Sequence, residues 1–367
     1  MRVLQIINSL KTGGAEKLLA DSVPLYQKKN IKMDVLLLNG TATPIAQKLR
    51  EESNGQVFSL GKGSVYNPMH LFKIMNYLRK YDVVHVHLFP ALYWVALAKM
   101  LRFSKVKIVY TEHSTNNRRR EKKFFKILDK IIYRSYSKII TIADEVDAQI
   151  KKHLQFNDSR FVQINNGIDT QLYHNAKPFP ATDFFGNNDK IIIQVSSFRK
   201  PKDQQTVIKA LTFLPENVKL LLVGSGPLES DCQALVQSLK LENRVIFLGI
   251  RMDVPRLLQT ADVTILSSGY EGLSLSSIEA MASGKPFVAS NAPGLREIVN
   301  GAGLLFETGN DRELASIIEK LLSDENFYRE ISSLCLQRAQ NYDISKMIAG
   351  YLKVYHEVSN TSANENR

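Results

Sequence analysis

Residues 263–281 read VTILSSGYEGLSLSSIEAM, in which a short apolar run, Val263–Leu266, is followed by a polar loop and then by a helical pattern. A buried strand that ends in such a loop and leads into a helix is the repeating unit of sheets whose parallel strands are joined by helices. Glu271 lies in the loop and Glu279 in the predicted helix. Because ligands of such folds bind at the carboxyl ends of the strands, both carboxylates are candidates for ligand contacts.

The same alternation of apolar runs and amphipathic stretches extends through the chain. In the first half the predicted strands are Val3–Ile7, Met33–Leu38, Asp82–His87, Lys107–Tyr110, Lys138–Ile142 and Phe161–Ile164. In the second half they are Ile191–Val195, Lys219–Val223, Val245–Leu248, Val263–Leu266 and Pro286–Ala289, followed by the run Gly303–Phe306. Near-continuous apolar strands indicate sheets buried on both faces. The sequence therefore predicts an α/β protein of two doubly wound, Rossmann-like domains that face each other across a cleft.

A change of composition separates the two series of strands. Residues 173–188 contain two prolines, a glycine and consecutive asparagines, which are typical of an irregular connection. We therefore predict a first domain at residues 1–172, a linker at 173–188 and a second domain at 189–340. The last segment, residues 341–367, carries Met347, Tyr351, Val354 and Tyr355 at helical spacing, so we predict an amphipathic helix there.

Length, cysteine content and hydropathy exclude several protein classes. A chain of 367 residues exceeds the size at which one core keeps growing, in agreement with two domains. The first ten residues are too mixed for a signal peptide, and the apolar stretch Leu88–Leu101, which contains Pro90 and Lys99, is too short to cross a bilayer. Cys232 and Cys335 lie far apart and form no metal motif. We expect a cytoplasmic protein.

The positive charge of the chain belongs to its first half. Residues 1–170 hold 28 Lys and Arg against 14 Asp and Glu, whereas residues 171–367 hold 20 against 22. A basic surface suits anionic lipid, nucleic acid or a phosphorylated acceptor, although solubility alone also favours surface charge. The positive residues do not form a recognised nucleic-acid-binding motif and few aromatic residues lie among them, so we expect no nucleic-acid partner.

Two loops carry groups suited to phosphate. The loop after the first predicted strand contains Gly13 and Gly14, whose backbone can approach an anion at a helix N-terminus, although an ordinary tight turn also explains such a pair. The loop after Ile191–Val195 carries Arg199 and Lys202. Their planar fork and mobile point charge match a diphosphate, while the alternative is a solvated basic loop.

A third loop combines sugar and phosphate ligands. Glu271 can accept hydrogen bonds from sugar hydroxyls and Glu279 from ribose hydroxyls. The backbone groups that can approach a phosphate at the start of the following helix are those of Gly272, Leu273, Ser274 and Leu275.

At these residues the chain resembles the family 4 retaining glycosyltransferases, whose two-domain architecture is called GT-B. The resemblance covers nearly the whole chain. It includes the Gly13-Gly14 loop, His113 in Tyr110–Ser114, Asn166–Asp169, Arg199 with Lys202, Val223–Pro227 with Gly224, and the paired glutamates Glu271 and Glu279.

The resemblance implies a role for each matching donor-side residue. Arg199 and Lys202 would hold the donor diphosphate, Glu271 would contact the transferred sugar and Glu279 would hold the ribose. The segment Leu248–Arg251, which includes Ile250 and Arg251, would contact the nucleobase. This sequence has Ser196-Ser197 where many relatives have glycine, and its two cations stand closer together than in many members.

The resemblance also assigns the first domain and the last helix. His113 would hydrogen-bond a hydroxyl of the transferred sugar or help to position the acceptor, whereas His85 and His87 are expected to flank their strand without chemistry. Gly14 would belong to the loop that faces the donor. The final helix would return to pack on the first domain.

The expected activity is retaining transfer of a sugar from a nucleotide-sugar donor to a carbohydrate or lipid-linked acceptor, in cell-surface polysaccharide or glycolipid synthesis. No Asp-x-Asp occurs in the chain, so the usual carboxylate pair for a catalytic divalent metal is absent and we expect no metal or other cofactor. The leaving-group charge would then be stabilised by Arg199, Lys202 and backbone dipoles.

A dense basic cluster follows His113. It comprises Arg118, Arg119, Arg120, Lys122 and Lys123, and it opens a predicted helix whose continuation is strongly apolar. A solvated helix start explains such a cluster. The functional alternative is docking on an anionic inner leaflet or on an acceptor phosphate, which would make the protein peripheral on the membrane.

Two other functions fit the same architecture. A nucleotide-sugar epimerase shares the fold type, and a non-catalytic two-lobed ligand-binding module shares the hinged form but normally carries an export signal. Product analysis separates the three, because only a transferase gives a transferred sugar.

Overall fold

The computed structural model describes residues 1–11, 13–114, 120 and 122–364, without the side chains of Lys123 and of residues 361–364. Its contacts divide the chain into two compact units. Unit 1 is Met1–Gly167 together with the segment that begins at Ile344, and unit 2 is Ile168–Asp343.

Unit 1 contains a parallel sheet of seven described strands. They are β1 (Arg2–Ile7), β2 (Lys32–Leu37), β3 (Val57–Ser59), β4 (Val83–His87), β5 (Lys107–Glu112), β6 (Lys138–Thr141) and β7 (Phe161–Gln163), and their order in the sheet is β3-β2-β1-β4-β5-β6-β7. Val3, Leu4, Ile6 and Ile7 of β1 are all fully buried, as expected for a strand covered on both faces. The order reverses between β1 and β4, and such a switch point opens a crevice at the carboxyl ends of these strands.

Helices cover this sheet in two groups. Their bounds are α1 (Gly14–Lys28), α2 (Pro44–Glu52), α3 (Met69–Met75), α4 (Ala91–Leu101), α5 (Lys123–Arg134), α6 (Asp144–Leu154) and the last helix, α15 (Ile344–Asn364). Helix α1 contacts α2 and α15, whereas α3, α4, α5 and α6 contact one another in succession. Asp129 of α5 is fully buried and accepts hydrogen bonds from Tyr93 of α4 and from His153 of α6, at 2.8 Å for the histidine. The second group of helices is thus joined by a buried polar contact as well as by apolar packing.

Unit 2 repeats the architecture with six described strands. They are β8 (Lys190–Val195), β9 (Val218–Val223), β10 (Val245–Phe247), β11 (Val263–Leu266), β12 (Phe287–Ser290) and β13 (Leu304–Phe306), all parallel, in the order β10-β9-β8-β11-β12-β13. The helices are α7 (Thr170–His174), α8 (Gln204–Ala210), α9 (Glu229–Ser238), α10 (Val254–Thr260), α11 (Leu275–Ala282), α12 (Arg296–Val299), α13 (Asp311–Ser323) and α14 (Glu325–Ala339). The order reverses between β8 and β11, so the loops after these two strands flank the crevice of unit 2.

The chain enters and leaves unit 2 at neighbouring positions. The amide of Ile168 donates to the carbonyl of Tyr342 at 2.9 Å, and the Thr170 hydroxyl donates to the Asp343 carboxylate at 2.6 Å. Residues 173–188, for which the sequence predicts a linker, contain the end of α7 and a 3-10 turn at Ala181–Asp183. Phe179 and Phe184 in this segment pack on the core of unit 2.

The predicted strands correspond to the observed ones within one or two residues at each end. The exception is β3, a strand of three residues at the sheet edge that the sequence analysis does not predict. Its residues are only partly covered, so they lack the apolar run that marks the other strands. Within the described ranges, no helix combines the length and apolarity needed to cross a bilayer.

Candidate functional site

Buried polar side chains at the ends of β8 and β11 hold the loop that follows β8. Gln194 Nε2 donates to the Ser196 hydroxyl and to the Lys202 carbonyl, each at 3.0 Å. The Ser267 hydroxyl, at the end of β11, lies 2.7 Å from the Asp203 carbonyl and 2.9 Å from Gln194 Oε1. These contacts fix the turn that carries Arg199 and Lys202, so the predicted phosphate ligands stand on a rigid support.

Lys202 and Glu271 meet in an ion pair between Nζ and Oε1. Their side chains are 21 % and 12 % exposed, so water reaches the pair only in part. The loop of Glu271 is itself fixed, because the Glu271 amide donates to the Pro293 carbonyl at 3.0 Å and the Gly269 amide donates to the Pro201 carbonyl at 2.7 Å. The structure therefore brings together two of the residues that the sequence assigns to the donor, while Arg199 next to them is exposed.

Two glycines, in the loops after β9 and β12, allow those loops to approach the loops of Lys202 and Glu271. Gly224, with φ of +134°, lies where a Cβ would stand 2.2 Å from the Ser196 carbonyl oxygen. Gly294, with φ of +82°, lies where a Cβ would stand 2.1 Å from the Glu271 carbonyl oxygen. Both positions need glycine for space and for conformation. A Cβ on Gly272, in contrast, would meet no described atom within 4 Å, so the surface of that residue is open.

Helix α11 begins beside this open position. The Ser274 hydroxyl caps the helix by accepting from the Ser277 amide at 3.3 Å, and the unpaired amides of the first turn give this end a partial positive charge. Glu279 lies further along α11, where it is only 6 % exposed. Leu273, Ser274 and Leu275 lie at this end of the helix, and their role as anion ligands stays a prediction.

In the loop after β10, the side chain of Ile250 is exposed to solvent, whereas that of Arg251 is paired within the loop. Ile250 is 58 % exposed. Arg251 donates through Nε to Asp253 Oδ1 at 2.8 Å and through Nη2 to Oδ2 at 2.5 Å. This two-bond ion pair lowers the pKa of Asp253 and occupies the guanidinium. The Arg251 side chain is thus engaged within its own loop.

His113, at the carboxyl end of β5, belongs to a hydrogen-bonded network in unit 1. Its Nε2 lies 3.0 Å from His87 Nδ1, and His87 Nε2 lies 2.8 Å from Gln5 Oε1. The strands β1, β4 and β5 are neighbours in the sheet, which brings these three side chains together. His87, expected to have no chemical role, is thus a direct partner of His113.

Burial keeps the imidazoles of this network neutral. It lowers the pKa of His113 to about 4 and that of His85 to about 3, because the charged form loses hydration. The same cause, with the neighbouring histidines, holds the pKa of His87 well below its ordinary range. A small cavity of about 20 Å³ borders the network and is lined partly by Gln5, His85, His87 and His113. A polar space of that size is sufficient for a water molecule.

The residue before His113 anchors the end of β5. Glu112 accepts hydrogen bonds from the Ser114 amide at 3.2 Å and from the Tyr133 hydroxyl at 2.8 Å, and it forms an ion pair with Arg120. The Arg120 side chain is only 9 % exposed. The structure thus places Arg120 inside unit 1 rather than on a solvated basic surface.

The remaining basic residues are described only in part. Arg118 and Arg119 lie outside the described residues, as does the side chain of Lys123. Lys122 is exposed. In the first glycine loop, Gly14 begins α1, and its neighbour Gly13 lies where a Cβ would collide with the Glu16 carboxylate. Among the described residues, no group of three or more His, Cys, Asp or Glu side chains is arranged to hold a metal ion.

Two parallel-sheet α/β domains of this form are found in GT-B proteins of known structure. HepE from Anabaena, solved in complex with UDP and glucose, superposes with a TM-score of 0.82 at 25 % identity, over 96 % of this chain and 98 % of that one. A glycosyltransferase from Rickettsia africae gives the same TM-score at 20 % identity, over 97 % of this chain and 98 % of that one. The fold is therefore GT-B.

Sequence comparison identifies the family. The model described as Glycosyltransferase Family 4 matches residues 12–172, and the model described as Glycosyl transferases group 1 matches residues 179–334. N-acetyl-alpha-D-glucosaminyl L-malate synthase from Bacillus anthracis is 29 % identical over 296 residues, which are 76 % of this chain and 75 % of that protein. The chain belongs to the family 4 glycosyltransferases, and the protein is a glycosyltransferase.

Proposed function

We propose that this protein is a retaining, metal-independent glycosyltransferase that takes its sugar from a nucleoside diphosphate donor. The observation that carries the proposal is the contact of Lys202 with Glu271 beside the N-terminus of α11. A cation, a carboxylate and helix amides at one place match a sugar joined to a diphosphate. UDP is the first nucleotide to test, since structures of the similar Anabaena HepE contain UDP and UDP-glucose.

The roles of the residues follow from their chemistry. Arg199, Lys202 and the amides of Leu273–Leu275 stabilise the charge that develops on the leaving diphosphate. Glu271 accepts hydrogen bonds from hydroxyls of the transferred sugar, and Glu279 accepts from the ribose. Gly272 lets the backbone approach the donor, and Gly224 keeps the Ser196 loop in position. The backbone of Ile250 and Arg251 contacts the nucleobase.

Retention proceeds by transfer on one face of the sugar. The bond between the anomeric carbon and the phosphate oxygen breaks, the bond to the acceptor oxygen forms, and the acceptor proton passes to the departing phosphate. His113 accepts a hydrogen bond from a sugar hydroxyl through its neutral ring. A covalent route would need a carboxylate opposite the leaving group, and Glu271 is engaged with Lys202.

The acceptor is a saccharide or a lipid-linked saccharide. Similar proteins include a galactosyltransferase from Escherichia coli whose name specifies a GlcNAc-diphosphoundecaprenol acceptor, 25 % identical over 76 % of this chain and 76 % of that protein. A lipid-linked acceptor requires that the enzyme reach a membrane. We therefore also propose that unit 1 docks peripherally on an anionic membrane surface.

The docking surface is the exposed stripe of α5. Phe124, Ile127 and Ile131 recur at helical spacing and are 70 %, 67 % and 52 % exposed. Lys122 precedes the helix, and Lys126 lies within it. A helix with an apolar stripe and basic neighbours can insert at the level of the lipid headgroups.

The transfer reaction is tested by ligand screening and product analysis. Thermal unfolding is measured with UDP, ADP, GDP and their sugars, because a ligand that binds the folded state raises the unfolding temperature. Products formed with the selected donor are analysed by NMR for transfer and for anomeric configuration, before and after treatment with a chelator. Retained configuration and unchanged rate in chelator support the proposal. Inverted transfer or strict dependence on added metal contradicts it, epimerised free sugar indicates an epimerase, and binding without turnover indicates a ligand-binding module.

A further inference from the structure

The network around His113 continues to the last helix of the chain. Beyond His87, Gln5 Nε2 lies 3.0 Å from the Tyr355 hydroxyl, which lies 2.6 Å from His85 Nδ1. His85 Nε2 then lies 2.7 Å from the Thr111 hydroxyl. Gln5, His85, Thr111 and Tyr355 are each buried. Gln5 lies in the middle of this series of contacts, with its carbonyl oxygen towards His87 and its amide nitrogen towards Tyr355.

Met33 determines which way the Gln5 amide points. Its thioether sulfur lies 3.5 Å from Gln5 Nε2. A thioether accepts hydrogen bonds weakly and cannot donate, so the side of the amide that faces Met33 and Tyr355 is the NH₂ group. Gln5 Oε1, an acceptor only, therefore faces His87.

This orientation determines the position of each ring proton. Because Oε1 can only accept, His87 carries its hydrogen on Nε2 and donates it to Gln5. A neutral imidazole holds one hydrogen, so His87 Nδ1 is an acceptor. His113 must then donate from Nε2 across the 3.0 Å contact to His87.

We propose that Gln5 is a positioning residue that holds His113 in the tautomer with hydrogen on Nε2, so that His113 Nδ1 is the acceptor available to a hydroxyl of the transferred sugar. No described residue provides a hydrogen-bond partner for this Nδ1. The inference rests on the proposed role of His113 in sugar transfer. The Tyr355 hydroxyl supports Gln5 in the same orientation. Through this contact, α15 also influences which nitrogen of His113 carries the hydrogen.

The assignment is tested first on the unmodified enzyme. The full chain is labelled with ¹⁵N at histidine, and two-bond ¹H–¹⁵N spectra near neutral pH report which nitrogen of each ring carries hydrogen. Signals are assigned with His87→Gln and His113→Gln. We expect hydrogen on Nε2 of both His87 and His113. Hydrogen on Nδ1 of His113, or a charged ring there, overturns the proposal.

Variants then test whether Gln5 causes this preference. Gln5→Met keeps the size of the side chain and removes both polar groups, so the contact between His87 and His113 can form in either direction and both tautomers of His113 should appear. Gln5→Leu also removes both polar groups and tests the same point if Gln5→Met does not fold. Gln27→Met in α1 is the control, because Gln27 contacts Met33 O and Ser53 but no histidine. A single wild-type tautomer in the folded Gln5 variant contradicts the role of Gln5.

Kinetics separate this inference from the proposed function. With both tautomers present, only part of the Gln5→Met molecules offer His113 Nδ1 to the sugar, so kcat should fall in proportion to the competent fraction, by about twofold for equal populations, while the KM for the donor changes little. If the tautomer shifts but kcat does not, the assignment stands and the role of His113 in transfer fails. If His113→Gln is inactive and Gln5→Met keeps one tautomer, His113 acts in transfer without help from Gln5.

Discussion

Lys202 and Glu271 form an ion pair between the loops that follow β8 and β11. Lys202 is proposed to bind the donor diphosphate and Glu271 the transferred sugar, so each group has a partner other than its proposed ligand. The donor must therefore compete with Glu271 for the lysine.

The first prediction concerns this competition. Glu271→Gln releases Lys202, so the affinity for UDP should stay equal or increase while turnover falls strongly. Lys202→Ala and Arg199→Ala should each weaken UDP binding by about 1.5–3 kcal/mol, the usual size of a charge-assisted hydrogen bond. Titration calorimetry and initial rates measure both effects. Lys200→Ala, at an exposed lysine of the same turn, is the control. Weaker UDP binding by Glu271→Gln contradicts the competition.

The second prediction contrasts two glycines of the same loop region. Gly272→Ala meets open space, so the free energy of unfolding should change little, whereas donor affinity should fall because the new methyl group occupies the surface proposed for the donor. Gly294→Ala has a positive φ and a Cβ 2.1 Å from the Glu271 carbonyl oxygen, so it should destabilise the folded protein. Denaturant unfolding and calorimetry with UDP distinguish the two. Unchanged donor affinity in Gly272→Ala would place the donor elsewhere.

The third prediction concerns acid stability. His85 has an ordinary pKa of 6.5 when unfolded and about 3 when folded, so between these values the unfolded chain binds a proton that the folded protein does not. The free energy of unfolding should therefore be greatest above pH 6.5 and fall by about 1.4 kcal/mol per pH unit for this ring as the pH decreases towards 3. Urea unfolding at several pH values measures the slope. His85→Gln should reduce it, and His356→Gln, at an exposed position, should not.

The fourth prediction concerns the membrane. Full-length protein should sediment with vesicles that contain anionic lipid at low salt and remain in solution at high salt, because attraction to basic residues is screened. Replacement of Phe124, Ile127 and Ile131 by Ser should abolish sedimentation, whereas replacement of the exposed Leu172 and Phe213 of unit 2 should not. Binding by the α5 variant equal to that of the unmodified protein would exclude α5 as the docking surface.

The fold was predictable because both sheets are covered on both faces. Apolar runs such as Val263–Leu266 mark such strands directly, and the polar loops after them indicate where ligands bind. The edge strand Val57–Ser59 was not predictable, because a partly exposed strand of three residues has no comparable apolar run.

The site residues named from the sequence stay predictions, and the sequence did not indicate the contacts between them. The predicted roles of Lys202 and Glu271 came from their loops, and nothing in the sequence indicated that the two would pair. The link between Gln5 and Tyr355 joins opposite ends of the chain, so no local pattern reports it. The burial of Arg120 likewise depends on Glu112 and Tyr133, which only the folded unit brings together.

The division of the chain also bears on its synthesis. Unit 2 is one continuous stretch, whereas unit 1 needs the segment that begins at Ile344, which is translated after all of unit 2. Tyr351 and Tyr355 of that segment are buried in unit 1, beside Tyr26 and His85. On the ribosome, unit 2 can therefore reach its native state while the polar side chains of β1 and β4 still lack their last partners. A premature stop just before Ile344 would leave unit 1 without the side chains of Tyr351 and Tyr355, even though all seven of its described strands had already been made.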